Sequence, residues 1–512
     1  MCGLIFVESD KISKEKVEQS IEGISFRGPD FSKTILLDNK YLLSHCRLSI
    51  LDLHERSNQP MTSKSGRYSI LFNGEIYNYK QIANELKLKL DTTSDTEVVL
   101  EGYELIGDKI FEKLDGMFAI VIYDLHNNSW VATRDLFGIK PLYIYKKNET
   151  TVISSETKAI NDLVNVTPSL DSVKEWEIFR SPIPGKTFYN EIDEILPGQV
   201  INNNLNTKFH SKLENNDKKF IQEEFEELLS NSIKKHTLSD VQNTALISGG
   251  IDSSIITNET NFINYYSIGL DTNNEFSDTQ ETSIKLDKNV VNHSIKIKEL
   301  VNNWKYLTQI KGEPIFLPNE GLIYEICKQM NKDEKVFLTG EGADELLFGY
   351  DRIFRWAMTE KFDLNNFLKL YTYSRKKPTN RFLTFIEDLN KDKSNINFLE
   401  DFFIQFHLKT LLRRMDFSSM VASKEARVPF VDKSLFNYMY RKEAIIKLDS
   451  INSKLPLRKY ASKNSLEFIL NRKKIGFSAK TSLDGNTINE YDKFRDIVLS
   501  SIGWENILEE EI

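Results

Sequence analysis

The chain has 512 residues, 40% hydrophobic and 28% charged, with a formal net charge of −8. It is too apolar for a disordered chain and too long for one ordinary core, so about two to four domains are expected. The acidic balance argues against a nucleic-acid surface, no run has the apolar length of a membrane span, and three scattered cysteines (Cys2, Cys46, Cys327) suggest neither disulfide framework nor zinc cluster.

In chain order, residues 2–7, 69–72, 119–123 and 142–145 read as strands. Asn73-Gly74, Asn127-Asn128 and Lys147-Asn148 read as hairpin turns. Amphipathic helices are expected over 78–90 and over 95–107, the second with Asp95 as N-cap. Strands with helices alongside imply a layered α+β domain. The N-terminus turns acidic too soon for a signal peptide, so a reducing cytoplasm is the expected compartment.

Cys2 follows the initiator methionine. If Met1 is removed, the α-amine of Cys2, titrating near pH ~8, becomes a base beside its own thiol. The plain alternative is a small hydrophobe heading a first strand. Gly185-Lys186-Thr187 resembles the end of a phosphate loop, but Arg180 stands where its first glycine belongs, so it reads as a connection between strands.

Polar, turn-rich sequence from 202 to 217 marks a domain boundary, giving expected domains of 1–205 and 218–512. Helical periodicity over 218–235 leads into an apolar strand, 244–247, and then Ser248-Gly249-Gly250-Ile251-Asp252-Ser253-Ser254. A strand, a glycine turn and a helix N-terminus make an anion site, here with hydroxyl donors and no lysine. Further strands at 264–269 and 335–339, with a crossover helix at 322–330, imply a parallel doubly wound sheet. Its ligands belong beyond the C-terminal strand ends, where Thr339-Gly340-Glu341-Gly342-Ala343-Asp344-Glu345 also falls. Residues 360–410 look helical and carry no recognisable chemistry, and Glu509-Glu510-Glu511 reads as a solvated tail.

Several motifs occur in order over residues 2–200: Cys2, Arg27-Gly28-Pro29-Asp30, His45 to Asp52, Phe72-Asn73-Gly74-Glu75, Ser94-Asp95-Thr96-Glu97, Asp115-Gly116-Met117-Phe118 and Arg134 to Tyr143. Together they resemble the class II glutamine amidotransferase domain, an N-terminal-nucleophile αββα sandwich. The Ser-Gly-Gly-x-Asp-Ser-Ser string resembles the pyrophosphate loop of the ATP pyrophosphatases. With Glu425-Ala426-Arg427-Val428-Pro429-Phe430, Lys454-Leu455-Pro456-Leu457-Arg458-Lys459 and Arg472-Lys473-Lys474-Ile475-Gly476-Phe477, the whole chain resembles the glutamine-hydrolysing asparagine synthetase family. The resemblance therefore implies an N-terminal-nucleophile sandwich followed by an α/β ATP-pyrophosphatase domain with extra helices.

That resemblance implies residue roles. Cys2 is the nucleophile, and Asn73 with the Gly74 N–H forms an oxyanion hole, each donor contributing about 3 kcal/mol. Arg47 pairs with the glutamine carboxylate, Asp95 with its ammonium, and Leu48, Ser49, Ile50, Leu51 and Glu75 complete the contacts. For ATP, Ile247, Ile268, Thr339 and Gly340 flank the adenosine, while Ser248, Gly249, Gly250, Asp252, Ser253 and Ser254 hold phosphates. Glu341 serves the acyl-adenylate and the incoming ammonia, Lys474 neutralises leaving pyrophosphate, and Asp252 and Asp344 are the ligands for Mg2+.

The implied small-molecule partners are glutamine, aspartate and ATP, with no nucleic acid or membrane, and a homodimer is the assembly to test. Gly312 before Glu313-Pro314, Leu347-Phe348-Gly349 and Phe417 depart from the common pattern. They leave the amidated acid open between aspartate and another carboxylate. A non-catalytic glutamine or nucleotide sensor is the reading from a different class, and the retained nucleophile speaks against it.

Overall fold

The computed structural model describes residues 2–215, 217–372, 374, 376–472 and 487–508. Strands β1 (Cys2–Glu8), β2 (Phe31–Leu37), β3 (Tyr41–Arg47), β4 (Met61–Thr62), β5 (Tyr68–Ile76) and β6 (Gly116–Asp124) open the chain. After them come β7 (Ser129–Arg134), β8 (Tyr143–Lys147), β9 (Thr150–Ser154), β10 (Ile192–Glu194), β11 (Gln199–Asn202) and β12 (Thr207–Phe209). They form two sheets, ordered β10-β8-β9-β1-β3-β2 and β12-β11-β7-β6-β5-β4.

Strand periodicity explains the layering. On β1, Leu4 and Phe6 face the second sheet, meeting Leu71, Ala119 and Val121. Ile5 and Val7 point the other way, onto Val17, Ile21 and Ile160 of two helices, Lys14–Gly23 and Thr157–Leu163. On β5, Ile70 and Phe72 face the helices Asp95–Ile106 and Lys109–Lys113. Strands apolar on both faces can be satisfied only between helix layers, since each buried Leu or Phe contributes about 1.5–3 kcal/mol. The result is an αββα sandwich.

Four local expectations change. Asn73-Gly74 is no turn: both residues lie inside β5, opposite Ala119 and Phe118. Gly74 is there because a Cβ would sit 2.0 Å from the Met117 carbonyl oxygen. The helix expected to reach residue 90 stops at Leu86, where Lys87 turns left-handed. Ser94, not Asp95, caps the next helix, because the Asp95 carboxylate is committed to the Ile76 N–H at 2.9 Å. Gly185-Lys186-Thr187 joins the helix Leu170–Phe179 to β10 rather than two strands. The other two hairpin turns stand, with Asn128 and Asn148 at φ 49° and 55°. The β11–β12 hairpin carries the sandwich to Phe209.

The second half contains β13 (Gln242–Leu246), β14 (Tyr265–Leu270), β15 (Val290–Ile295), β16 (Glu334–Leu338) and β17 (Glu425–Arg427), all parallel in the order β15-β14-β13-β16-β17. Helices cover both faces: Gln222–Lys235, Ile251–Glu259 and Leu455–Lys463 on one, Ile297–Lys311, Glu320–Gln329 and Thr487–Ser500 on the other. The strand order runs in opposite directions from β13, so the crevice of this sheet opens between the ends of β13 and β16. Strands β15 and β17 escape sequence reading because one is a half-exposed edge and the other has three residues.

The helices between Asp351 and Leu408 form a lobe packed around Phe354, Phe367, Phe382, Phe398, Phe402 and Phe406, against Phe179 of the first half. Among the described residues no helix is long and apolar enough to cross a membrane. The helix Lys409–Met420 is buried along its whole length between the two halves. From it, Asp416 pairs with Arg27 at 2.9 Å and Lys140 at 3.5 Å, and Lys409 pairs with Glu194 at 2.8 Å.

Candidate active sites

The β1–β3 register places Cys2 directly opposite Arg47. Facing sheets bring β5 beneath them, so Asn73 Oδ1 accepts the Cys2 N–H at 3.0 Å. The other end of that amide, Asn73 Nδ2, is buried with no hydrogen-bond partner. A buried, unpaired amide donor is costly, and one beside a cysteine is placed to meet a developing oxyanion. Arg27 Nε donates to the Cys2 carbonyl at 3.1 Å, fixing the strand end from behind. Burial pushes the Cys2 thiol above its ordinary value.

Cys2, Arg47, Leu48, Ile50, Leu51, Gly74, Glu75 and Asp95 line one pocket. Ser49 does not: its N–H turns to Asp30 at 2.7 Å. The Arg47 guanidinium reaches the pocket wall and is engaged there by the carbonyls of Leu51, Asp52 and His54 and by Asn58 Oδ1 at 2.8 Å. Burial pushes Asp95 up to about 6. Glu75 is also raised by burial, with Asp95 adding to the effect, although Arg427 lies 3.1 Å away.

Glu425 lines the same pocket, and it and Arg427 come from β17 of the other half. Burial opposes ionisation of Glu425, but surrounding cations, Arg427 and Lys140 among them, hold it at about 2. Both residues stand in the motif of residues 425–430, which by itself implies no role for them; only the packing of the halves puts them beside Glu75.

The second constellation lies at the crevice between β13 and β16. Ile247 is buried, its N–H on the Tyr266 carbonyl at 2.8 Å, and Ile268 is buried on neighbouring β14. Ser248 to Gly250 then turn, with Gly250 as N-cap of the helix Ile251–Glu259. The loop is bonded to itself. Ser253 Oγ accepts the Ser248 N–H at 3.0 Å, Ser248 Oγ accepts the Gly250 N–H at 3.2 Å, and Ser254 Oγ donates to the Gly250 carbonyl at 2.9 Å. A carboxylate already sits on it, since Glu275 Oε2 accepts the Gly249 N–H at 3.0 Å. Arg472 Nη1 donates to the Gly249 carbonyl at 3.4 Å, whereas Lys474 lies outside the described residues.

The loop after β16 touches this one: a Cβ on Gly340 would lie 2.9 Å from Asp252 Cβ. Thr339 donates its N–H to the Arg427 carbonyl at 3.0 Å. Asp252 and Asp344 share one ammonium, that of Lys454, at 2.6 and 2.8 Å. Burial alone would lower Lys454, but these two carboxylates raise it above the ordinary lysine value. Glu341 is paired with Arg414, whose Nη1 also reaches Asn319 at 3.2 Å. Glu345 is pushed up to about 8 by burial and by Asp344, and accepts the Tyr350 hydroxyl at 2.7 Å. The sequence alone implies no role for Lys454, Arg414 or Glu275: Lys454 belongs to the motif of residues 454–459, while the other two carry no local signal.

A family model described as asparagine synthase matches residues 224–502, and one described as glutamine amidotransferase domain matches residues 1–213. Asparagine synthetase [glutamine-hydrolyzing] 1 of Bacillus subtilis (strain 168) is 28% identical, the match covering 93% of this chain and 87% of that protein. Asparagine synthetase [glutamine-hydrolyzing] 3 of the same organism is 27% identical over 93% and 86%. A glutamine phosphoribosylpyrophosphate amidotransferase structure from B. subtilis, complexed with ADP and GMP, has a TM-score of 0.33 and 14% identity over 57% of this chain and 65% of its own. Matched over more than half of its length, the chain belongs to the asparagine synthase family.

Proposed function

We propose that the chain makes asparagine with nitrogen from glutamine, using two active sites in two domains divided between Phe209 and Gln222. The observation that carries this reading is Cys2 with its N–H on Asn73 and the unpaired Asn73 amide beside it, on the same chain as a lysine-free phosphate loop.

In the first site, Cys2, freed of Met1, gives its thiol proton to its own α-amine and attacks the side-chain amide carbonyl of glutamine. Asn73 Nδ2 and the Gly74 N–H receive the oxyanion. Arg47 and Asp95 hold the two charged ends of glutamine, and Leu48, Ile50, Leu51 and Glu75 shape the rest. Ammonia leaves, and water releases glutamate from the thioester.

In the second site, the β-carboxylate of aspartate attacks the α-phosphorus of ATP and pyrophosphate departs. Ammonia then attacks the acyl carbon, AMP leaves, and Glu341 takes the extra proton. Ile247, Ile268, Thr339 and Gly340 flank the adenosine; Ser248, Gly249, Gly250, Ser253 and Ser254 hold phosphates, with Lys474 opposite the leaving group. Two hard carboxylate oxygens, from Asp252 and Asp344, already converge on one cation position, which suits Mg2+. They would hold it there, and it would neutralise phosphate charge.

The test is pyrophosphate release with a panel of carboxylic acids. Aspartate with glutamine supports release in the native protein, and Cys2→Ala abolishes the glutamine-dependent rate while free ammonia still serves. Release with some other acid and none with aspartate would sink the asparagine reading.

A further inference from the structure

We propose that Arg414 is the receptor for a second carboxylate on the acid being activated, and that Glu341 occupies its guanidinium until that acid arrives. This rests on the synthetase reading above and deepens it by naming what distinguishes a fitting acid.

Arg414 projects from the buried helix Lys409–Met420 and is 5% exposed, yet it is poorly satisfied. Nη1 donates to Asn319 and Nη2 to Glu341, while Nε is buried without a hydrogen-bond partner. Glu341 is the more open partner, its side chain 19% exposed. It follows Gly340, which rests on Asp252, so the pair stands immediately beside the phosphate loop. Among the described residues, Lys454 lies between Asp252 and Asp344, Arg472 lies against the Gly249 carbonyl, and Arg413 points away, over the rings of Tyr143 and Phe316.

An acid that spends one carboxylate on phosphorus needs its remaining charge held. A guanidinium fork is the group best shaped for a carboxylate, and here a protein carboxylate already fills that place. A substrate carboxylate that replaces Glu341 at Arg414 would use more of the fork. It would also release Glu341 next to the acyl carbon. When ammonia forms the new C–N bond and the C–O bond to AMP breaks, one N–H proton then has an unpaired carboxylate to go to.

The probes are aspartate, succinate, which keeps both carboxylates, and β-alanine, which lacks the second one. In Arg414→Met, the KM for aspartate rises about 100-fold while that for ATP changes less than about 3-fold, as expected for loss of a buried charge pair to substrate alone. Succinate loses its competitive inhibition in parallel, and β-alanine behaves as it does with native protein. An ATP-induced rise in melting temperature reports that the variant is folded. Where Arg414→Met is unfolded, Arg414→Lys is read instead, with a smaller rise of the same selectivity. An unchanged aspartate KM in a folded variant, or a parallel rise for ATP, overturns the assignment. Should native protein prefer another acid, the aspartate reading fails by itself. Arg414 is then judged on that acid's KM, and a monocarboxylic acid overturns it.

Discussion

The two sites solve charge in opposite ways. Around Cys2 the groups that meet the reacting amide are neutral donors, and one of them, Asn73 Nδ2, is left without a partner. At the loop of residues 248–254 the groups are mostly ions, and each is answered by another part of the chain: Glu275 on Gly249, Lys454 between Asp252 and Asp344, Glu341 on Arg414. A lone amide can wait unpaired for a transient charge at a cost of about 1–3 kcal/mol. Buried ions cannot wait, because an unmatched charge costs several kcal/mol, so they pair among themselves until substrate exchanges with them.

Removing the unpaired donor is the largest test of that contrast. Asn73→Ala should lower kcat for glutamine hydrolysis by about 100- to 1000-fold with a small change in KM, since the donor works only in the transition state. The ammonia-dependent reaction should be untouched. A loss expressed mainly in KM would mean that Asn73 holds substrate instead.

On the ionic side, Lys454→Met leaves Asp252 and Asp344 facing each other without their ammonium. Breaking such a pair should destabilise the fold by about 3 kcal/mol, read as a lower denaturation midpoint. Added Mg2+ should recover part of that loss in the variant and much less in the native protein, where it must first displace the Lys454 ammonium. If Mg2+ stabilises both equally, these two carboxylates are not where it binds.

The contrast also explains what the sequence made legible. Cys2, Asn73, Gly74 and Asp95 are legible through short motifs in a fixed order that resemble a known family, and Ser248 to Ser254 follow one strand directly. These are local signals. Arg427 and Arg414 answer to partners 352 and 73 residues away, at Glu75 and Glu341, and their meaning is created by tertiary packing, between the two halves for the first and within the second half for the other. Asn73-Gly74 shows the converse: a dipeptide with strong turn character is held inside β5 because the Met117 carbonyl leaves no room for a side chain.

A smaller effect follows from Asp95. Burial raises it to about 6, so its ionised form, the one able to hold an ammonium group, is lost as pH falls through that value. Folding is not the reason: a carboxyl whose folded pKa is raised favours the native state more, not less, as pH drops toward the unfolded value of 3.8. The expected profile is kcat/KM for glutamine declining below pH 6 while the melting temperature holds from this group's contribution. A flat profile down to pH ~5 would place the glutamine ammonium on another group.

The smallest effect is the most discriminating for the ionic site. Glu345 is pushed up to about 8 by burial and by Asp344, so at neutral pH it carries its proton and adds no charge to the cluster. Its Oε1 accepts from Tyr350, whose hydroxyl also meets His407 Nε2 at 2.9 Å, and a glutamine side chain reproduces both the neutral charge and the acceptor. Glu345→Gln should therefore leave pyrophosphate release at pH ~7 within about 2-fold of native and flatten any decline above pH ~8, where the native carboxyl ionises beside Asp344. A large loss at neutral pH would mean that Glu345 works as an anion, setting three carboxylates, with Asp252 and Asp344, against the single ammonium of Lys454.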